Sequence, residues 1–262
     1  MNAVAERFDL LRSRNEKAFV PFVTAGDPSL EDLRAILDCL QSSGADLIEV
    51  GIPFSDPIAD GPTIQASSQR ALDRGVTPRA VLEALSGARL EVPIVLMGYT
   101  NPILRMGFGE FARTASASGV SGVIVSDMIP EESGDWRAAC SEAGIATVFL
   151  AAPTSTDERL DAVCAASRGF VYAVSRTGVT GAEREVPEEV RELVARLRSR
   201  TDLPVCVGFG ISSAEQVRRV CEVADGAVVG SWLVNLLDES WKGGSGRAEI
   251  EKRVGELKKA TQ

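Results

Sequence analysis

Three carboxylates fall within twelve residues in the stretch LIEVGIPFSDPIADGP, residues 47–62. Glu49 lies inside an apolar run, where a charged side chain must be paired, neutral or functional. Asp60 follows eleven residues later, so a returning loop would bring the two carboxyl groups to opposite sides of a pocket. A desolvated Glu with a raised pKa can act as acid and then as base, while an ionised Asp can hold an N–H that becomes positive. The alternative for Glu49 is a buried ion pair with an arginine.

Glycine-rich segments in the last third of the chain predict a phosphate site. GFGIS at 208–212 and GS at 230–231 each follow an apolar run. The backbone N–H groups of Gly210, Gly230 and Ser231 would converge on a phosphate beside a helix N-terminus. The alternative is that these are turn glycines without a ligand.

The segment SRTGVTGAERE, residues 175–185, is long for a simple turn and rich in small residues. Such loops often act as lids over an active site, although a plain surface loop has the same composition. We therefore predict a lid.

Two residue types are absent from the region that carries these motifs. The chain has no histidine, which excludes a His-ligated metal and a catalytic imidazole. No lysine lies between positions 18 and 241, which argues against a Schiff-base lysine in the core of the chain. Neither a His-ligated metal nor a Schiff-base mechanism is therefore expected.

Eight apolar, β-rich runs alternate with amphipathic helical stretches, with no linker between them. This pattern over 262 residues predicts a single (β/α)₈ barrel domain with an extra N-terminal helix, and an open doubly wound sheet is the runner-up. In such a barrel the active site lies at the carboxyl ends of the strands. The predicted strands are 18–23, 46–50, 93–97, 121–126, 145–151, 169–175, 204–209 and 226–230. The predicted helices between them are 29–44, starting at a Ser29 N-cap, 63–75, 78–87, 110–119, 133–144, 156–167, 187–199 and 213–224, with one more at each end of the chain.

The charge, the length of the apolar runs and the cysteine content indicate which partners and which cellular location to expect. A net charge of −9 argues against nonspecific nucleic-acid binding, which needs a basic surface. No apolar run approaches the ~18 residues that span a membrane, and the N-terminus lacks a secretory apolar segment. The five cysteines form no CxxC pair and lie in mostly apolar settings, so we expect reduced core thiols and a cytoplasmic location.

The motifs together resemble the tryptophan synthase α subunit family over about residues 17–235. That resemblance implies a (β/α)₈ barrel that cleaves indole-3-glycerol phosphate to indole and glyceraldehyde 3-phosphate by a retro-aldol step without a cofactor. It also implies a pyridoxal-phosphate β subunit as partner, in an α₂β₂ heterotetramer that receives the indole through a tunnel. The segments that carry the resemblance are LIEVGIPFSDPIADGPTIQ, PFVTAGDPS, VLMGYTNPIL, SRTGVTGA and GFGIS.

The resemblance also implies roles for individual residues. Glu49 matches the acid/base that protonates indole C3 and deprotonates the glycerol hydroxyl, and Asp60 matches the carboxylate that holds the indole N–H. Tyr172 matches a tyrosine near Glu49, and Thr180 matches a lid threonine that reaches the Asp60 position on closure. The remaining matches are the pocket wall, Phe22, Tyr99 and Phe209, and the phosphate cradle, Gly181, Gly210, Gly230 and Ser231.

Two segments differ from the family pattern. Gly98 and Thr100 lie in the first, and Ser126 and Ile129 lie in the second. In the family these segments border the partner contact, which the resemblance places at Asp56, Asn101 and Ile129. A subunit activated by a β partner is the favoured reading. A stand-alone lyase that supplies free indole, a catalytically silent barrel that binds or activates a partner, and another phosphate-binding barrel enzyme remain open.

Overall fold

Parallel strands form where the sequence is apolar at consecutive positions. The computed structural model describes residues 2–88, 90–174, 186–208 and 210–262. Each predicted run contains a strand with buried residues on both faces, as expected for a sheet enclosed by helices. The strands are β1 (Ala18–Thr24), β2 (Ile48–Gly51), β3 (Ile94–Gly98), β4 (Val120–Val125), β5 (Ala146–Val148), β6 (Leu150–Ala151), β7 (Val171–Val174), β8 (Val205–Gly208) and β9 (Gly226–Val229).

The strand order is β5-β4-β3-β2-β1-β9-β8-β7-β6, and every described pairing is parallel. β5 and β6, which stand first and last in this order, are two halves of one extended segment that is interrupted at Phe149. This segment therefore brings the two ends of the sheet together. The backbone N–H of Phe149 donates to Ser167 Oγ at 3.4 Å. The result is a nearly closed barrel with eight positions, as predicted, and the doubly wound alternative is wrong.

The helices agree with the sequence pattern except at three places. The helix predicted from Ser29 begins at Leu33, because Ser29 Oγ accepts the N–H of Asp32 in a turn that precedes the helix. A seven-residue helix follows β3 where none was predicted, and two long helices follow β9. The α-helices of the described residues are α1 (Ala3–Ser13), α2 (Leu33–Ser42), α3 (Pro62–Asp73), α4 (Pro78–Leu85), α5 (Thr100–Met106), α6 (Phe108–Ala117), α7 (Gly134–Ala143), α8 (Asp157–Ala166), α9 (Glu188–Arg198), α10 (Ala214–Val223), α11 (Ser231–Ser240) and α12 (Arg247–Lys258).

The buried side chains form two clusters that the strands separate. The larger lies between the strands and the surrounding helices, and the smaller fills the barrel interior. The interior cluster contains Leu47 of the β2 segment and Val95 of β3, and it also contains Val4, Phe8 and Leu11 of α1. The predicted N-terminal helix therefore closes the amino-terminal end of the barrel. Among the described residues, no helix is both long and apolar enough to cross a bilayer.

Buried ion pairs fix the loops and helix ends around the barrel. Asp27, after β1, receives two hydrogen bonds from Arg70 of α3 at 2.9 and 2.6 Å, and Arg74 lies 3.5 Å away. At the opposite end of the barrel, Lys258 of α12 donates to Asp46 at 2.8 Å, and Asp46 also accepts the backbone N–H of Phe19. All five cysteines are buried and unpaired, as predicted.

Candidate active site

Glu49 is the central group of the candidate site. Its side chain alternates with those of Ile48 and Val50, which belong to the outer cluster, so it points into the barrel together with Leu47. The residue is 1% exposed, and neither carboxylate oxygen has a hydrogen-bond partner among the described residues. The alternative of a buried Glu–Arg ion pair is therefore absent from the part of the chain that the structure describes.

The surroundings of Glu49 favour its neutral form. Burial, together with the smaller effect of the negative charge of Asp60, raises its pKa to about 8. The group therefore carries a proton near neutral pH and is placed to give that proton to a ligand in the barrel. Once it has done so, the resulting carboxylate can accept a proton.

Asp60 lies at the end of the β2–α3 loop, directly before Gly61 and the first residue of α3. Burial raises the pKa of Asp60 to about 6, and a hydrogen bond from the Tyr99 hydroxyl opposes that rise. Near neutral pH, Asp60 is therefore mainly ionised while Glu49 is mainly protonated. Two carboxyl groups in one pocket thus carry different protonation states, which is the division of labour that acid/base chemistry needs.

Two aromatic side chains lie against glycines at the carboxyl-terminal ends of the barrel strands. The Phe22 ring lies so close to Gly51 that a Cβ there would come within 2.6 Å of it. The Tyr172 phenol covers Gly208 in the same way, and burial, followed by the nearby Glu49 carboxyl group, raises the pKa of Tyr172 well above its ordinary value. Phe22 is also the register partner of Glu49 across the β1–β2 pair. The predicted pocket residues Phe22 and Tyr172 therefore do border Glu49.

The described residues that were predicted to bind phosphate follow two neighbouring strands, β8 and β9. Gly210 follows β8 in a left-handed conformation with φ of 44°, and Gly230 follows β9 as the N-cap residue of α11. Ser231 is the first residue of α11, whose first N–H groups lack partners within the helix. A side chain at Gly230 would contact Phe22 at 3.8 Å, so this end of the site adjoins the pocket wall. The geometry fits an anion at the helix N-terminus.

Three predicted site residues, Thr180, Gly181 and Phe209, lie outside the described residues, as does the predicted lid at 175–185. Their predicted roles stay predictions.

Three other polar residues at strand ends have internal partners. Thr24 Oγ1 and Ser67 Oγ are 2.6 Å apart, and Asp27 is paired with arginines of α3. Asp127 accepts hydrogen bonds from the backbone N–H and the hydroxyl of Thr100. These contacts fix the loops of the site.

An exposed apolar surface surrounds the predicted partner residues. Asp56, Asn101 and Ile129 are all exposed, at the ends of the neighbouring strands β2, β3 and β4. Sequence reasoning missed two exposed apolar residues of this surface: Ile58, in the β2–α3 loop, is 83% exposed, and Leu104, in α5, is 56% exposed. Exposure of Ile58 could have been inferred from its place between Asp56 and Asp60 in a proline-containing loop. Leu104 required the unpredicted helix α5.

Comparison with known proteins decides the family. A family model described as tryptophan synthase alpha chain matches residues 8–262. The chain belongs to this family. The tryptophan synthase alpha chain of Geobacter sulfurreducens is 46% identical over 262 residues, covering 99% of each chain. That of Geotalea daltonii is 47% identical over 241 residues, covering 91% of each chain.

Solved structures of the tryptophan synthase alpha family share the whole fold. An aminoacrylate-bound tryptophan synthase from M. tuberculosis matches with a TM-score of 0.90 and 38% identity, covering 100% of both chains. Tryptophan synthase subunit alpha from Legionella pneumophila matches with a TM-score of 0.91 and 32% identity, covering 100% of this chain and 98% of that one. These matches confirm the predicted family and barrel fold, and with them the prediction of an α-subunit-type lyase.

Proposed function

We propose that the chain cleaves indole-3-glycerol phosphate to indole and glyceraldehyde 3-phosphate. The proposal rests above all on Glu49, a protonated, unpaired carboxyl group buried inside the barrel beside Asp60. Glu49 protonates indole C3, and the positive charge that develops on the ring nitrogen is held by the Asp60 carboxylate. The ionised Glu49 then takes the proton of the glycerol hydroxyl on the carbon whose bond to indole C3 breaks. The carbon–carbon bond electrons return to the ring, which releases indole and the aldehyde.

The remaining predicted residues bind the substrate in this proposal. Phe22, Tyr99, Tyr172 and Phe209 enclose the indole ring, and Thr180 belongs to a lid that covers it. Gly210, Gly230 and Ser231, together with Gly181, bind the phosphate. The N-terminus of α11 beside Phe22 supports this orientation, because it places the anion next to the pocket wall.

The test of the chemistry is indole release from indole-3-glycerol phosphate. Glu49→Gln keeps the size of the side chain but cannot transfer the proton, so turnover should fall at least a thousandfold. Binding of a non-cleavable phosphate-bearing analogue should persist. Asp56→Asn is the matched control, because Asp56 is exposed in the same loop, and the isolated variant should cleave at the wild-type rate. Activity that survives Glu49→Gln would refute the proposed role.

We further propose that the exposed surface formed by Asp56, Ile58, Asn101, Leu104 and Ile129 binds a tryptophan synthase β subunit. Of the four large apolar residues that are exposed in the described part of the chain, three, Ile58, Leu104 and Ile129, lie after the neighbouring strands β2, β3 and β4, and such grouping is typical of an interaction surface. The surface also lies at the mouth of the candidate site, where released indole would leave.

The partner proposal is tested by titrating the chain with a β subunit. Turnover should rise on complex formation, and Ile58→Asp should weaken the complex at least tenfold. Leu10→Asp changes a 39%-exposed leucine of α1 at the opposite end of the barrel, and it should not affect binding. High unaided turnover with no effect of the β subunit would instead support the stand-alone lyase.

A further inference from the structure

Tyr99 connects the Asp60 loop to the neighbouring strand end. It directly follows β3 and is 4% exposed. Its hydroxyl oxygen accepts the backbone N–H of Ala59, the residue directly before Asp60, at 3.1 Å. Burial raises the pKa of the Asp60 carboxyl group, and the nearby Tyr99 hydroxyl opposes that rise. A phenol has one proton and two lone pairs, so its proton stays available to the carboxylate while its oxygen accepts from Ala59. The ring also stacks on Phe54, with centroids 5.0 Å apart. Tyr99 therefore contacts both the beginning and the end of the 54–60 loop.

A second pair of hydrogen bonds fixes the backbone that carries Tyr99. The N–H and the hydroxyl of Thr100 donate to the same oxygen of Asp127, at 2.8 and 2.9 Å. Thr100 is the first residue of α5, and Tyr99, at the N-cap position, makes no side-chain cap bond of its own. Asp127, from the β4 end, supplies the missing cap. Thr100 is also one of the residues that differ from the family pattern, and its hydroxyl makes one of these two bonds.

The other hydrogen bonds of the loop in the described structure are local. Ile58 N–H donates to the Asp56 carbonyl, Asp60 N–H donates to the Pro57 carbonyl, and Gln65 of the following helix donates to the Asp60 carbonyl. None of these reaches another strand end. Within the described residues, the Tyr99 hydroxyl is thus the hydrogen-bonding group that ties the loop to the neighbouring strand end.

We propose that Tyr99 is a positioning residue that aims the Asp60 carboxylate into the pocket, and that the Thr100–Asp127 pair holds Tyr99 in place. The inference rests on the proposed function. It adds to that function a residue that sets the orientation of the Asp60 carboxylate. The Tyr99 hydroxyl itself need not touch the reacting atoms. The physical reason is preorganisation, since a carboxylate that stabilises a developing charge must be oriented before that charge forms.

Tyr99→Phe removes the hydroxyl and keeps the ring stacked on Phe54. We expect kcat for indole release to fall about tenfold, the effect of losing a hydrogen bond to a charged group. We expect KM to change less than twofold. Amide hydrogen exchange at Ala59 should accelerate, because its acceptor is gone. Thr100→Val should produce a smaller loss of kcat, and Thr100→Ser, which keeps the hydroxyl, should restore the wild-type rate.

A double-mutant cycle separates this role from a general structural one. If Tyr99 acts through Asp60, Tyr99→Phe should lower kcat about tenfold in the wild-type background and less than twofold in the Asp60→Asn background. Equal losses in both backgrounds, or unchanged Ala59 exchange in Tyr99→Phe, would overturn the inference. Failure of the wild-type chain to release indole, with or without a β subunit, would refute the proposed function. In that case, Ala59 exchange would still decide whether Tyr99 holds the loop.

Discussion

The buried carboxyl of Glu49 should make stability depend on pH in a specific direction. The folded chain holds the Glu49 proton up to a pKa of about 8, whereas the ordinary value for glutamate is 4.5. Between these values the unfolded chain has lost the proton and the folded chain has kept it. The stability contribution is therefore complete below pH 4.5 and is lost as the pH rises to about 8.

The size of the effect follows from the two pKa values. Each pH unit between them lowers the free energy of unfolding by about 1.4 kcal/mol, and the whole interval by about 5 kcal/mol. Glu49→Gln removes the ionisation and therefore this pH-dependent loss of stability. Relative to the wild type, the variant should gain about 4 kcal/mol of stability between about pH 5 and about pH 9. That is a large share of the stability of a typical domain.

Urea unfolding of both proteins at the two pH values measures this gain. Comparing the two proteins at each pH cancels the titration of all groups that they share. Glu83→Gln is the matched control, because it makes the same chemical change at an exposed position of α4, and it should behave as the wild type does. A difference between wild type and Glu49→Gln that stays constant with pH would show that Glu49 ionises freely in the folded chain. The acid/base assignment would then lose its physical basis.

Three further predictions concern packing and ion pairs around the site. Gly51→Ala should lower indole release and reduce the free energy of unfolding by about 1–3 kcal/mol, because its Cβ collides with the Phe22 ring. Gly98→Ala, where the neighbours of the new Cβ lie 3.6 Å or farther away, is the control and should be neutral. Equal behaviour of the two variants would contradict the prediction. Arg70→Met should destabilise the chain by about 2–4 kcal/mol in urea because it leaves the buried Asp27 carboxylate with Arg74 alone, and an unchanged unfolding midpoint would refute it. Lys258→Met should cost about 2–3 kcal/mol in thermal unfolding by stripping Asp46 of its cation, whereas the exposed Lys252→Met should have no effect, and equal melting of both variants would argue against the pairing.

Much of the fold was predictable because both faces of each strand are buried. A continuous apolar run then marks a strand to within two residues, as β1 and β9 show. Two of the errors arise where a contact distant in sequence accompanies the local structure. Helix α5 depends on a cap supplied by Asp127, twenty-seven residues away, which no local pattern reveals. The break at Phe149 likewise accompanies a hydrogen bond to Ser167, which lies 18 residues further on, at the end of α8.

The candidate site was predictable in composition but not in arrangement. The cost of a charge among apolar neighbours singled out Glu49, yet alternation alone left its side chain facing either the interior or the helices. Only the closed barrel resolves this, because it groups Leu47 with the interior residues. The bond between Tyr99 and the Asp60 loop joins residues about forty positions apart, so the sequence suggested Tyr99 only as part of the pocket wall.

The closure of the barrel by α1 has a consequence for protein engineering. Val4, Phe8 and Leu11 are the part of the interior cluster that lies at the end farthest from the mouth of the barrel. Substitutions that improve packing at this end share no partner with Asp60 or the residues that orient it, so their effects should add to changes made at the mouth. The scaffold therefore offers a region for raising thermal tolerance and a separate region for altering substrate preference, and a library can vary both at once.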